Sequence, residues 1–139
     1  MDKLETKVEL GRNIGEWERA LARLARRRDE EQRHAELPAI RLEGVSALRR
    51  LLPIAQRDCG QSVVVARFLL NIYNGERFPF DLADMRPLDY EVFDDCIAVL
   101  RMDSQPYQEI HLYFENGSAI WEDLAKLWGF QDHAGRSWR

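Results

Sequence analysis

The carboxylates Glu76, Asp81, Asp84 and Asp89 lie close together in the middle of the chain. Spaced carboxylates of this kind are what a hard cation takes as ligands. Their spacing is not that of a calcium loop and apolar residues are interleaved, so capping of helices and turns is the expected role. Asp94 and Asp95 are adjacent. On a helix adjacent residues point about 100° apart, which makes a solvated face the expected role and argues against a paired acid and base. His111 sits among apolar neighbours, with Cys59 and Cys96 distant in sequence. A Cys–His dyad would require the fold to bring them together; a half-buried, hydrogen-bonded histidine is the expectation. His34 and His133 fall in charged or terminal segments and carry no signal. Arg19, Arg23, Arg26, Arg27, Arg28 and Arg33 form a basic group, but Glu16, Glu18, Asp29, Glu30 and Glu31 are interleaved at spacings that allow pairing within a helix. A solvated, salt-bridged helix is expected there, with a phosphate contact the sharper alternative. No phosphate loop, dinucleotide fingerprint or serine-hydrolase elbow occurs. The reading assigns no catalytic residue, no metal ligand and no cofactor.

The elements that carry these residues follow from composition. The chain has 139 residues, of which 45% are hydrophobic and 10% aromatic, enough for one cored domain with an appendage. Net charge is −4 overall, +1 over residues 1–41 and −5 over 42–139. That balance disfavours nonspecific nucleic-acid binding and leaves room for a local basic patch. The first residues are charged, with no apolar leader segment, and no apolar run approaches the ~20 residues of a membrane span. A cytoplasmic, soluble protein is expected. Cys59 and Cys96 are expected to be small core residues in a reducing compartment, with a disulfide the minor alternative.

Helical signals dominate. Residues from about Gly15 to Glu36 are rich in Ala, Leu, Arg and Glu. Leu10, Ile14, Trp17, Leu21 and Leu24 step by alternating fours and threes, a seam that Arg28 and Glu31 then interrupt. This amphipathic helix is expected to pack on its own domain or on a second copy. Leu37-Pro38 is expected to end it. A second helix is expected over Gly44–Arg57, kinked at or starting near Pro53 and stopped at Cys59-Gly60. Ser62 is the candidate cap of a third, apolar nearly all round, that stops at Asn74-Gly75. Asp89 should cap a fourth, about Tyr90 to Met102. Residues 107–114 fit either a strand or a helix, and helix is preferred for want of a partner strand. Ser118 should cap a last helix, Ala119–Trp128, ended by Gly129. Between the third and fourth helices, Asn71–Asp89 carries Tyr73, Phe78, Phe80, Leu82 and Met85, too apolar for a plain spacer. It is expected to be ordered, with Phe78, Phe80 and Leu82 in the core.

The expectation is an all-α fold: a compact domain of about four to five short helices over residues 42–130, behind a charged N-terminal helix over 1–41 and before a flexible tail over 131–139. The strings RFLLNIYNGERFPFDLADMRPLD, FDDCIAVLRMD and HLYFENGSAIWEDLAKLWG, spanning Ala66–Gly129, resemble a family of small proteins of unknown function found mainly on conjugative plasmids and integrative elements of proteobacteria. The resemblance implies a mobile-element setting and brings no catalytic residue; the N-terminal helix lies outside it. The leading functional expectation is a non-enzymatic accessory protein that binds another protein. Its surface would include Trp17, Leu21 and Leu24 with Arg23 and Arg27, and the loop residues Glu76, Arg77, Phe78 and Asp81. A homodimer through the N-terminal helix is one form of this. The alternatives are an inhibitor of a host defence system, of the anti-CRISPR type, and a DNA-binding regulator using the arginine-rich helix. No membrane partner is expected, and no useful affinity for nucleic acid by the protein alone.

Overall fold

The computed structural model describes the backbone of residues 3–134 and the side chains from Asn13 to Ala134. The chain divides into two compact units, Met1–Pro38 and Ala39–Arg139. Four α-helices account for most of it: α1 (Lys3–Gln56), α2 (Ser62–Tyr73), α3 (Tyr90–Ser104) and α4 (Gly117–Trp128), with 3-10 turns at Leu82–Met85 and Ile110–Tyr113. No strand occurs among the described residues. The fold is all-α, and the strand alternative for 107–114 gives way to the tight 3-10 turn. The expected tail over 131–139 lies outside the described residues from Gly135 onward.

The two helices expected over 15–36 and 44–57 are one helix. Pro38 does not stop it, and Pro53 does not start it. A proline inside a helix forfeits one hydrogen bond, to the carbonyl four residues back, at about 3 kcal/mol. Strong helix formers precede Pro38. Beyond it, Ala47, Leu48, Leu51, Leu52 and Ala55 are buried. Each fully buried leucine contributes about 1.5–3 kcal/mol, so the three together outweigh either proline.

In the Ala39–Arg139 unit those α1 residues meet Val65, Ala66, Phe68, Leu69 and Leu70 of α2, the inner face of α3 and Trp121, Leu124 and Ala125 of α4 in one core. Trp121 is fully buried and donates its indole N–H to the Leu69 carbonyl at 3.1 Å. Trp128 ties the end of α4 to α1 through the Ala55 carbonyl at 2.8 Å. Gly44 of α1 faces Met102 of α3 so closely that a Cβ there would lie 2.5 Å from the methionine Cβ.

Several caps differ from expectation. Gln61, and not Ser62, occupies the cap position of α2. Ser62 is buried as the first helical residue and accepts from the Cys59 backbone N–H at 3.2 Å. Asp89 does precede α3, but its carboxylate accepts from Gln61 Nε2 at 2.8 Å while its own N–H donates to Gln61 Oε1 at 2.7 Å. This reciprocal pair joins the starts of α2 and α3. Asn116, in the left-handed region at φ 58°, precedes α4 in place of Ser118. Asparagine is among the few side chains that tolerate that conformation. Gly129 ends α4 in the left-handed region, as expected.

The Asn71–Asp89 segment is ordered by its own polar groups. Asn71 Nδ2 donates to the Phe78 carbonyl at 2.9 Å, and Asn74 Oδ1 accepts from the Arg77 N–H at 3.2 Å. Phe78, Met85 and Leu88 are buried, and Phe80 packs half-buried, edge-on to Phe68 at 6.1 Å. Leu82 does not enter the core; it is 70% exposed. Asp81 caps the 3-10 turn by accepting from the Ala83 N–H at 3.0 Å, which sets a register in which Met85 takes the inward place.

Candidate interaction surfaces

In the N-terminal unit, Ile14, Trp17, Leu21 and Leu24 are 52%, 67%, 57% and 50% exposed. They share one face because residues three and four apart are neighbours on a helix. The side chain of Leu10 lies outside the described residues. Arg23 and Arg27 are exposed on the same helix. The intrahelical ion pairs allowed by the spacing are not closed: among the described residues the ion pairs are those of Arg50 and Arg77.

The second surface lies in the other unit. The Phe78–Leu82 loop, Asp84, Arg67 and the segment Gly129–Gln131 with His133 line an open cleft of about 960 Å³. Its aromatic wall is Phe80 with Phe130, which stacks on Trp128 and lies 5.1 Å below the Arg67 guanidinium. Asp81, Asp84 and the exposed Leu82 supply charge and an apolar edge. Arg77 holds this arrangement together. It donates to Glu122 at 2.6 Å and to Asp132 at 2.8 Å, lies over the Phe78 ring at 4.8 Å, and its carbonyl accepts from the His133 N–H at 2.9 Å. The Ala134 N–H and then Arg77 stabilise the Asp132 carboxylate below its usual range.

Of the four loop residues expected to meet a partner, Glu76 and Asp81 are exposed. Phe78 is 5% exposed and belongs to the core, and Arg77 is committed to its two carboxylates. The Arg77 clamp carried no sequence signal, because both its partners are distant in the chain.

The residues weighed for chemistry are not brought together. Cys59 and Cys96 are free thiols, so the disulfide alternative falls. Cys59 is exposed, contrary to its expected core role, because α1 ends before it and α2 begins after it. A hydrogen bond from the Ser62 hydroxyl, 3.0 Å away, is the main cause lowering its thiol pKa. Cys96 is buried, and desolvation pushes its thiol up to about 12. His111 is half-buried, edge-on to Tyr73 at 5.1 Å; its Nδ1 has no hydrogen-bond partner among the described residues, and no hydrogen bond joins it to either cysteine. Asp94 is exposed as expected, but Asp95 is not a solvated residue: it takes a bidentate pair from Arg50 at 2.8 and 3.0 Å. No group of three or more His, Cys, Asp or Glu side chains able to hold a metal occurs among the described residues.

The profile of a family of unknown function, DUF7673, matches residues 45–129, more than half of the chain. The chain belongs to that family. The DUF7673 match covers the core-forming end of α1, all of α2 to α4 and the loop wall of the cleft, and it starts well upstream of the Ala66–Gly129 resemblance. The exposed stripe of the N-terminal unit lies outside it. No curated protein and no solved structure matches the chain.

Proposed function

We infer that this DUF7673 protein is a non-enzymatic accessory protein that works by binding another protein. The observation that supports it is the stripe of Ile14, Trp17, Leu21 and Leu24, each at least half exposed. Contiguous apolar surface of this kind marks protein-binding sites, and tryptophan is favoured at the centre of interfaces. The resemblance to small proteins of proteobacterial plasmids and integrative elements supplies the setting: a mobile element in a bacterial cytoplasm. An inhibitor of host defence is one form of this reading, in which the acidic 42–139 part covers a basic surface. Affinity capture from the native host tests it. A partner retained by the wild type and lost in both Trp17→Glu and Leu21→Glu supports the reading. A set of captured proteins indifferent to both variants contradicts it.

A second reading, a DNA-binding regulator, draws on Arg19, Arg23, Arg26, Arg27, Arg28 and Arg33, none of which is in an ion pair among the described residues. Binding through them would weaken with salt with a slope of about −0.9 per phosphate neutralised. Fluorescence anisotropy on labelled duplex across a salt series decides. The protein-binding reading expects no such titration at physiological salt; submicromolar, steeply salt-dependent binding would make the regulator the better reading.

A further inference from the structure

Helix α3 has an apolar stripe outside its buried side. Val92, Cys96, Val99 and Met102 are buried. Tyr90, Phe93 and Leu100 are 90%, 39% and 38% exposed, and Ile97 is half-buried outside the core cluster. Successive residues of a helix turn by about 100°, so these four fall within about 80° of one another. Helix α1 meets α3 roughly half a turn away from them, where Gly44 faces Met102 and Arg50 holds Asp95. All of these residues belong to the Ala39–Arg139 unit.

The charges beside this stripe are placed as a two-fold contact needs them. Asp94 and Arg101 flank it on the same side, both exposed and neither in an ion pair among the described residues. Seven residues apart, they stand about 10 Å from each other along the helix, too far to pair within one copy. An antiparallel second α3, related by a two-fold axis midway between them, brings Asp94 of each copy to Arg101 of the other. That axis passes beside Ile97, the midpoint of α3 (Tyr90–Ser104), so the register that pairs the charges also overlaps the two helices along their whole length. The other α3 carboxylates do not oppose it. Asp95 is held by Arg50. Glu91 is turned about 100° beyond Tyr90, away from the stripe. Asp89, bonded to Gln61, falls opposite the chain beyond the end of the other α3. We propose that α3 pairs antiparallel with α3 of a second copy through Tyr90, Phe93, Ile97 and Leu100, in a two-fold dimer flanked by two Asp94–Arg101 ion pairs. Four apolar positions per copy make a small interface, so the dimer is weak and concentration-dependent. It uses no residue of the N-terminal stripe.

Charge exchange between full-length variants tests it, by sedimentation over a concentration series. Every chain carries Trp17→Glu, so that the N-terminal face does not contribute and a failure here leaves the protein-binding reading of that face untouched. This parent chain should dimerise as its concentration rises. Asp94→Arg sets two cations together across the axis, and Arg101→Asp sets two carboxylates together. Each should weaken the dimer by about 10-fold or more. Neither side chain has an ion-pair partner in its own copy, so both variants should melt at the parent's temperature. The double exchange Asp94→Arg with Arg101→Asp should restore the dimer, and an equimolar mixture of the two single variants should regain it as a heterodimer. Tyr90→Glu, at a side chain 90% exposed, should weaken the dimer with the fold intact. A parent chain still monomeric at about 1 mM overturns the proposal. So does a dimer indifferent to Asp94→Arg and Arg101→Asp, which then forms through another face. Single variants that lose the dimer without recovery in the double exchange or in the mixture overturn it as well.

Discussion

Gly117→Ala should reverse the usual sign of a glycine-to-alanine change in a helix. At an ordinary helical site alanine is favoured by up to about 1 kcal/mol. At Gly117 the new Cβ would fall on the His111 carbonyl oxygen and lie 2.6 Å from the carbonyl carbon. Both are backbone atoms of the Ile110–Tyr113 turn, so no side-chain rotation relieves the clash. Restoring a carbon–carbon contact of about 3.5–4.0 Å requires α4 and the turn to separate by about 1 Å or more. That separation loosens Ile110, 1% exposed, from the core. Overpacking costs about 1–3 kcal/mol, and partial loss of a buried isoleucine adds to it out of the 2–5 kcal/mol that full truncation costs. The net expectation is a loss of about 3 kcal/mol, or roughly 10–20 °C in Tm for a domain of this size. Gly60→Ala is the control: nothing lies within 4 Å of its added Cβ. It should gain about 0.4–1 kcal/mol through the unfolded state. Thermal melts of both variants by circular dichroism suffice. A Gly117→Ala melt at or above wild type would refute the close approach of α4 to the turn.

Two further outcomes test the placement of particular side chains. Phe80→Ala should cost roughly half of the 3–5 kcal/mol of a fully buried phenylalanine, because the ring is half-buried against Phe68, whereas Leu82→Ala should stay within about 0.5 kcal/mol of wild type; chemical denaturation of each variant measures both. At neutral pH a thiol reagent should label Cys59 rapidly and Cys96 only on unfolding, given their exposure and opposite pKa shifts; equal labelling of both thiols in the native protein would contradict their placement.

Local signals revealed much of this fold. The all-round apolar run of α2, Gly129 after α4 and the aromatic loop could each be read from neighbouring residues, because the forces that set them act within one or two turns. Pro38 and Pro53 misled, since the strength of the helix around them depends on leucines buried by α2, α3 and α4, which no local window contains. The Ser62 and Ser118 caps misled for a related reason: Ser62 is drawn into the core, and the contact of Gly117 with His111 fixes where α4 must begin. Arg77 with Glu122 and Asp132, and Arg50 with Asp95, join residues distant in sequence and left no trace in spacing. The surface was legible in part. The apolar stripe of α1 followed from its period alone, whereas its exposure did not, since the helix was expected to pack on its own domain or on a second copy. On α3 neighbouring registers are both apolar, so composition alone does not separate the more exposed Phe93 and Leu100 from the buried Val92, Cys96 and Val99; packing does.

The central claim is that the face carrying Ile14, Trp17, Leu21 and Leu24 is covered when the protein is at work. Hydroxyl-radical footprinting of the full chain, once as dilute purified protein and once in host cells, measures this at the side chain itself. Trp17 should be oxidised readily in the dilute protein and be protected several-fold in cells, while Tyr107, 70% exposed and not part of the stripe, reacts equally in the two. Trp17 oxidised to the same extent in both, relative to Tyr107, would contradict the account.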